Sequence, residues 1–158
     1  MWSKLYLVLL AFAVILLAFL TFYSWSWLQS IGSPTAAVAG YEYYSGIGWP
    51  ALWVSMVVLL AMGNGVLWES GRSWAMWTTF IYFSVGLILR FFWLDQSFFQ
   101  FKKNNSLVDA SVSFAPLMAV ILIILMAVIV FFDTFLVVRL RAKTYPEPVD
   151  EEPKPTAE

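Results

Sequence analysis

Residues Leu5 to Leu28 read LYLVLLAFAVILLAFLTFYSWSWL, an apolar run without one charged side chain. About 20 such residues in an α-helix cross a bilayer core of ~30 Å. Lipid offers backbone amides no water, so a spanning segment must pair them internally, as a helix does. Strands of a membrane barrel would alternate apolar and polar residues, and this run does not alternate.

Working outward, charge-free gaps also separate Glu42 from Glu69, Arg72 from Arg90, and Asp109 from Asp133. Each holds one dense apolar run, which gives further spans at about 47–68, 74–94 and 114–138. The chain is 61% hydrophobic and 12% charged, whereas a soluble domain carries roughly 45–50% apolar and about 25% charged residues. The expected fold class is an all-α integral membrane protein. Four transmembrane helices form an antiparallel bundle over residues 1–143.

The ends of the runs carry interface residues. Tryptophan and tyrosine favour the headgroup level. Trp25 and Trp27 close the first run, and Trp49 and Trp53 open the second. Trp68 closes the second, Trp74 and Trp77 open the third, and Trp93 closes it. Lysine and arginine in short loops set orientation. Lys4, Arg72, Arg139, Arg141 and Lys143 fall on one side, which is therefore expected to be cytoplasmic and to hold both ends of the chain. Lys102 and Lys103 fall on the other, with Arg90 near that surface. Met1 to Phe22 has some character of a signal peptide, and Ala37-Val38-Ala39 has the form of a cleavage site. The apolar run is too long and that site too distant, so the reading keeps span one in the membrane.

The inner turn Glu69-Ser70-Gly71-Arg72-Ser73 is short, so spans two and three are antiparallel neighbours. The outer segments Gln29–Gly46 and Asp95–Ser113 read as loops. The first holds Gly32, Pro34, Gly40 and the patch Tyr41-Glu42-Tyr43-Tyr44, while the second sets Phe98, Phe99 and Phe101 beside Lys102 and Lys103. Residues 144–158 carry five acids against Lys154, a charge of −4, and four prolines. That composition predicts a disordered, acidic, cytoplasmic tail. The body before it is +3, without the basic field of a nucleic-acid binder.

Polar side chains within spans are expensive and mark candidate sites. Depth along the runs places Asn64 and Asp133 together near the inner ends of spans two and four, with Glu69 and Arg72 close by. The expected cluster is a hydrogen bond from Asn64 to Asp133, extended by Arg72. At the outer side, Arg90 is expected to pair with Asp95 or Glu42. Ala61 and Gly65 have the spacing of a close helix contact. Pro116 suits the first turn of span four, with Ser111 or Ser113 as cap.

Chemistry is bounded by what the sequence lacks. It has no cysteine and no histidine, which removes disulfides, thiolate nucleophiles, bis-histidine haem ligation and most zinc sites. It has no GxSxG elbow, no GxxxxGKS/T phosphate loop, no GxGxxG and no HExxH. No enzymatic activity, cofactor or metal is expected. The layout resembles that of small multi-span bacterial membrane proteins, which implies a cytoplasmic (inner) membrane and no mechanism. The expected role is a non-catalytic accessory subunit, assembly factor or scaffold of a membrane complex. Its partners would be the bilayer, another membrane protein or a second copy, with no nucleic acid. The alternative is a small oligomeric transporter, channel or lipophile-binding module, motivated by Asn64, Asp133 and Arg90.

Overall fold

The computed structural model of the chain describes residues 1–29, 32–107 and 116–146. These form α1 (Trp2–Leu28), α2 (Pro34–Ser70), α3 (Trp74–Ile88), a π-helical segment (Leu89–Leu94), α4 (Asp95–Asn104) and α5 (Pro116–Thr144). Among the described residues there is no strand. Four helical stretches are long and apolar enough to cross a membrane: α1, α2, the continuous run Trp74–Asn104, and α5.

Two hydroxyl staples fix the relative direction of α1 and α3. Tyr6 donates to the Ala75 carbonyl at 2.7 Å, and Tyr82 donates to the Ala13 carbonyl at 3.3 Å. Both contacts join residues 69 apart, so α1 and α3 run parallel and in step, with α2 antiparallel between them. Asn64 and Asp133 are also 69 apart, and α2 and α5 are likewise parallel. One end of the bundle therefore holds Met1, the turn at Gly71 and the end of α5. This is called the proximal end, and the opposite one the distal end.

The α2–α3 pair forms the centre, and α1 and α5 flank it without meeting. The main core joins Tyr6, Leu52, Leu59, Val66, Met76 and Phe83. In α5 only Ala119, Met126 and Val130 are buried. Of its most apolar stretch 11% is buried, against 39% in Trp74–Asn104. The bundle is thus open, with one long apolar side of α5 facing outward.

The structure corrects the two distal loops. Gln29–Gly46 is helical from Pro34 on, and Asp95–Asn104 is α4. Pro34 occupies the first helical position, where its fixed φ and missing N–H do no harm. The helix survives Gly40 because tertiary packing overrides propensity: a Cβ there would sit 2.5 Å from the Trp27 ring. Ala37, Tyr41 and Ser45 are buried on the same helix, and the segment Ala37–Ala39 is helical, with Ala37 buried and Ala39 exposed. At 37 residues, α2 is ~55 Å long, well beyond a ~30 Å apolar core. α4 carries Asp95 in its first turn and Lys102 and Lys103 in its last, the charge order that the helix dipole favours.

At the proximal end α2 stops at Gly71. Its φ of +69° is left-handed, and its N–H donates to the Leu67 carbonyl at 2.8 Å, a glycine C-cap. α5 starts at Pro116, as its fixed φ favours. It runs through Thr144, the first residue assigned to the tail. The tail from 147 and the caps Ser111 and Ser113 lie outside the described residues.

Candidate functional site

Besides the hydroxyl contacts of Tyr6 and Tyr82, two groupings with charged side chains stand in the bundle. The distal one is built on the π segment. Arg90 Nε lies 3.4 Å from Asp95 Oδ1, with both side chains about three-quarters buried. Tyr41, reaching across from α2, donates its hydroxyl to the same Oδ1 at 2.7 Å. Arg90 Nη1 donates to the Tyr41 oxygen at 3.1 Å, which closes a three-membered ring of contacts. The guanidinium also lies over the Tyr41 and Trp49 rings, 5.7 and 5.8 Å from their centroids. Phe98 stacks on the far part of the group, its ring 4.1 Å from that of Tyr41.

The local winding makes this possible. In an α-helix, residues five apart point about 140° away from each other. The wider turn of Leu89–Leu94 brings Arg90 and Asp95 round to one side. Such π segments recur at sites where a side chain must be re-aimed. Below the ring, a cavity of about 30 Å³ is lined by Thr21, Ser24, Ser45, Gly48, Gly86 and Arg90, enough for one water molecule. Gly86 lets Leu52 approach its backbone closely, since a Cβ there would meet the Leu52 side chain at 2.7 Å.

Of the residues expected here, Arg90 and Asp95 meet and Glu42 does not. Glu42 is exposed and has no ion pair among the described residues. It neighbours Tyr41 in sequence, and an α-helix turns about 100° per residue, so burying Tyr41 turns Glu42 away. Sequence reasoning missed Tyr41, Trp49 and Phe98 as members, having taken them for interface or loop aromatics. The signal was present: Ala37, Tyr41 and Ser45 recur at the spacing of four that lines one helical stripe.

The proximal grouping centres on Asn64 and Asp133. Asn64 Nδ2 donates to Asp133 Oδ2 at 2.8 Å, joining α2 to α5. Asn64 Oδ1 and the neighbouring Thr134 Oγ1 are buried and unpaired among the described residues. Arg72 does not extend this pair. It is exposed beyond the Gly71 cap, and its backbone N–H donates to Ser70 Oγ at 3.2 Å. Glu69 is also exposed and turns instead to the Met1 ammonium at 2.9 Å. The left-handed turn at Gly71 takes Arg72 off the line of α2, whereas Glu69, still within α2, is engaged by Met1.

A third feature was not anticipated. Arg141 of α5 donates from Nε to the Trp68 carbonyl at 3.0 Å, and its Nη1 packs against Gly71. An arginine thus supplements the glycine cap at a helix C-terminus, where cations are favoured. Beside it opens a cavity of about 560 Å³ lined by Trp2, Gly65, Trp68, Glu69, Arg141 and Tyr145. Among the described residues no group of three or more Asp, Glu, His or Cys has the grouping to hold a metal. No protein-family model, curated protein or solved structure matches the chain.

Proposed function

We propose that this chain is a four-span integral membrane protein with a structural, non-catalytic role in a membrane assembly. On this reading the proximal end, with both ends of the chain, faces the cytoplasm. The carrying observation is how the polar side chains of the spans are used. Arg90, Asp95 and Tyr41 close on one another, and Asn64 closes on Asp133. Such pairs hold helices together, which leaves the outward apolar side of α5 as the chain's chief offering to its surroundings. That side includes Ile121, Ile124, Leu125, Phe131 and Phe132, each at least half exposed. Purification in a mild detergent tests the reading. The expected result is a stoichiometric membrane-protein partner or a defined homo-oligomer. A strictly monomeric protein with nothing attached contradicts it.

One observation favours a second reading, a lipophile-binding module. A lateral groove of about 410 Å³ runs between α1 and α2, lined by Leu9, Phe12, Leu16, Pro50, Val54 and Val58. Its walls are apolar, and the small side chains of Ala13 and Ala51 are part of its lining. Filling it with Ala51→Phe separates the two readings. Loss of a co-purified hydrophobic molecule with the partner retained favours the groove; loss of neither favours the structural role.

A further inference from the structure

The structure points to a binding site for an anionic phospholipid headgroup at the proximal end, and we propose that Arg141 is its cation. The inference rests on the membrane reading above and adds a ligand to it. The cavity beside Arg141 measures about 560 Å³, and three helices contribute to its lining. Trp2 comes from the start of α1, Gly65, Trp68 and Glu69 from the end of α2, Arg141 from the end of α5, and Tyr145 from just beyond it.

Its chemistry suits a phosphodiester. Arginine offers five N–H donors in a planar fork that matches phosphate oxygens. Arg141 uses Nε on the Trp68 carbonyl, and among the described residues its other donors have no protein acceptor and no carboxylate within ion-pair distance. The one acid in the lining, Glu69, is directed to the Met1 ammonium. Arg139 and Lys143 lie two residues to either side of Arg141 and add positive charge at the same end. Basic pockets between helices on the cytoplasmic side take anionic headgroups by this means.

The walls suit the depth. Trp2, Trp68 and Tyr145 are aromatic side chains with polar tips, the type that settles among headgroups. Trp2 lies against Gly65, where a Cβ would come within 2.8 Å of its ring. The missing side chain lets the indole seat low and keeps the cavity open above it. An acyl chain leaving the site would run down the apolar outer sides of α1 and α5 (Val8 and Leu136 are both more than half exposed).

The experiment is native mass spectrometry of the full chain released from nanodiscs of equimolar phosphatidylglycerol and phosphatidylcholine. The expected result is one retained phosphatidylglycerol, enriched about fivefold over phosphatidylcholine. Arg141→Ala abolishes that enrichment, while Lys143→Ala leaves most of it. Because Arg141 also caps α2, Tyr145→Glu serves as a second variant outside any helix, and it is expected to lower the enrichment severalfold. Equal retention of both lipids, or equal loss from Arg141→Ala and Lys143→Ala, overturns the site in favour of a diffuse basic surface. Displacement of the retained lipid by millimolar inorganic phosphate assigns the cavity to a soluble anion and overturns the lipid. A chain that enters no nanodisc of any composition contradicts the membrane reading itself.

Discussion

Arg90 and Asp95 stand five residues apart and still face each other, Nε to Oδ1 at 3.4 Å, because Leu89–Leu94 wind as a π-helix. Tyr41 locks the pair from a different helix, at 2.7 Å from the carboxylate. The relationship ties a local backbone irregularity to the docking of α2 against the helical run Trp74–Asn104. It is expected to be cooperative. Breaking a largely buried pair by removing one partner leaves the other charge uncompensated. Arg90→Ala and Asp95→Asn should each lower the melting temperature in detergent, and the double variant should cost less than their sum. A coupling of about 1 kcal/mol or more is expected; strict additivity counts against the closed ring.

Tyr41→Phe isolates the hydroxyl. It keeps the stack on Phe98 and removes the contacts to Asp95 and Arg90. The expected loss is about 1–3 kcal/mol, since hydrogen bonds to charged groups lie at the upper end of the range. A neutral effect in thermal unfolding would mean that Asp95 finds another donor.

Asn64 and Asp133 are expected to behave as one unit. Asn64→Leu strands the carboxylate on α5, and Asp133→Leu strands the amide on α2. In the double-variant cycle the coupling should be about 0.5–2 kcal/mol, the range for polar contacts between membrane helices. Additive single effects in the same unfolding assay would argue that the 2.8 Å contact carries no energy.

Two glycines predict opposite signs. Gly71 is left-handed at φ +69°, and a Cβ there would strike the Arg141 guanidinium. Gly71→Ala should cost about 1–2 kcal/mol from backbone strain alone, with further loss as Arg141 leaves the Trp68 carbonyl. Gly46 lies inside α2 with open space around it, so Gly46→Ala should stabilise by about 0.5–1 kcal/mol. Thermal melts of the two variants check both signs.

The absence of cysteine makes topology directly testable. Single variants Ser70→Cys at the proximal end and Ser106→Cys just beyond α4 should label from opposite sides of a sealed vesicle. Labelling of both by an impermeant reagent from one side is incompatible with the proposed arrangement.

Much of this fold was legible in the sequence, because the strongest signal in an apolar chain is the distance between charges. The four long apolar helices follow from those gaps, and so does the approach of Asn64 to Asp133, which needs only helix rise and direction. The distal helices were not legible in the same way. Pro34 and Gly40 read as turn residues, yet Pro34 opens α2 and Gly40 admits the Trp27 ring. Those are tertiary facts. The stripe of Ala37, Tyr41, Ser45, Leu52, Met56 and Leu59 was available and would have extended α2 back to its true start. Nothing in LRFFWL announces the π-helix that brings Arg90 and Asp95 face to face. Likewise, Glu69 and Arg72 were close to Asp133 by depth alone; Arg72 follows the left-handed Gly71 out of the helix, and Glu69 pairs with the Met1 ammonium.

The central claim is that the outward side of α5 meets another protein. A photoreactive residue at Ile124, which is 59% exposed, followed by irradiation in native membranes and mass spectrometry, tests it most directly. The account predicts a discrete protein adduct, to a partner or to a second copy, that is absent when the group is placed at the fully buried Val130. Adducts to lipid alone at Ile124 would contradict it.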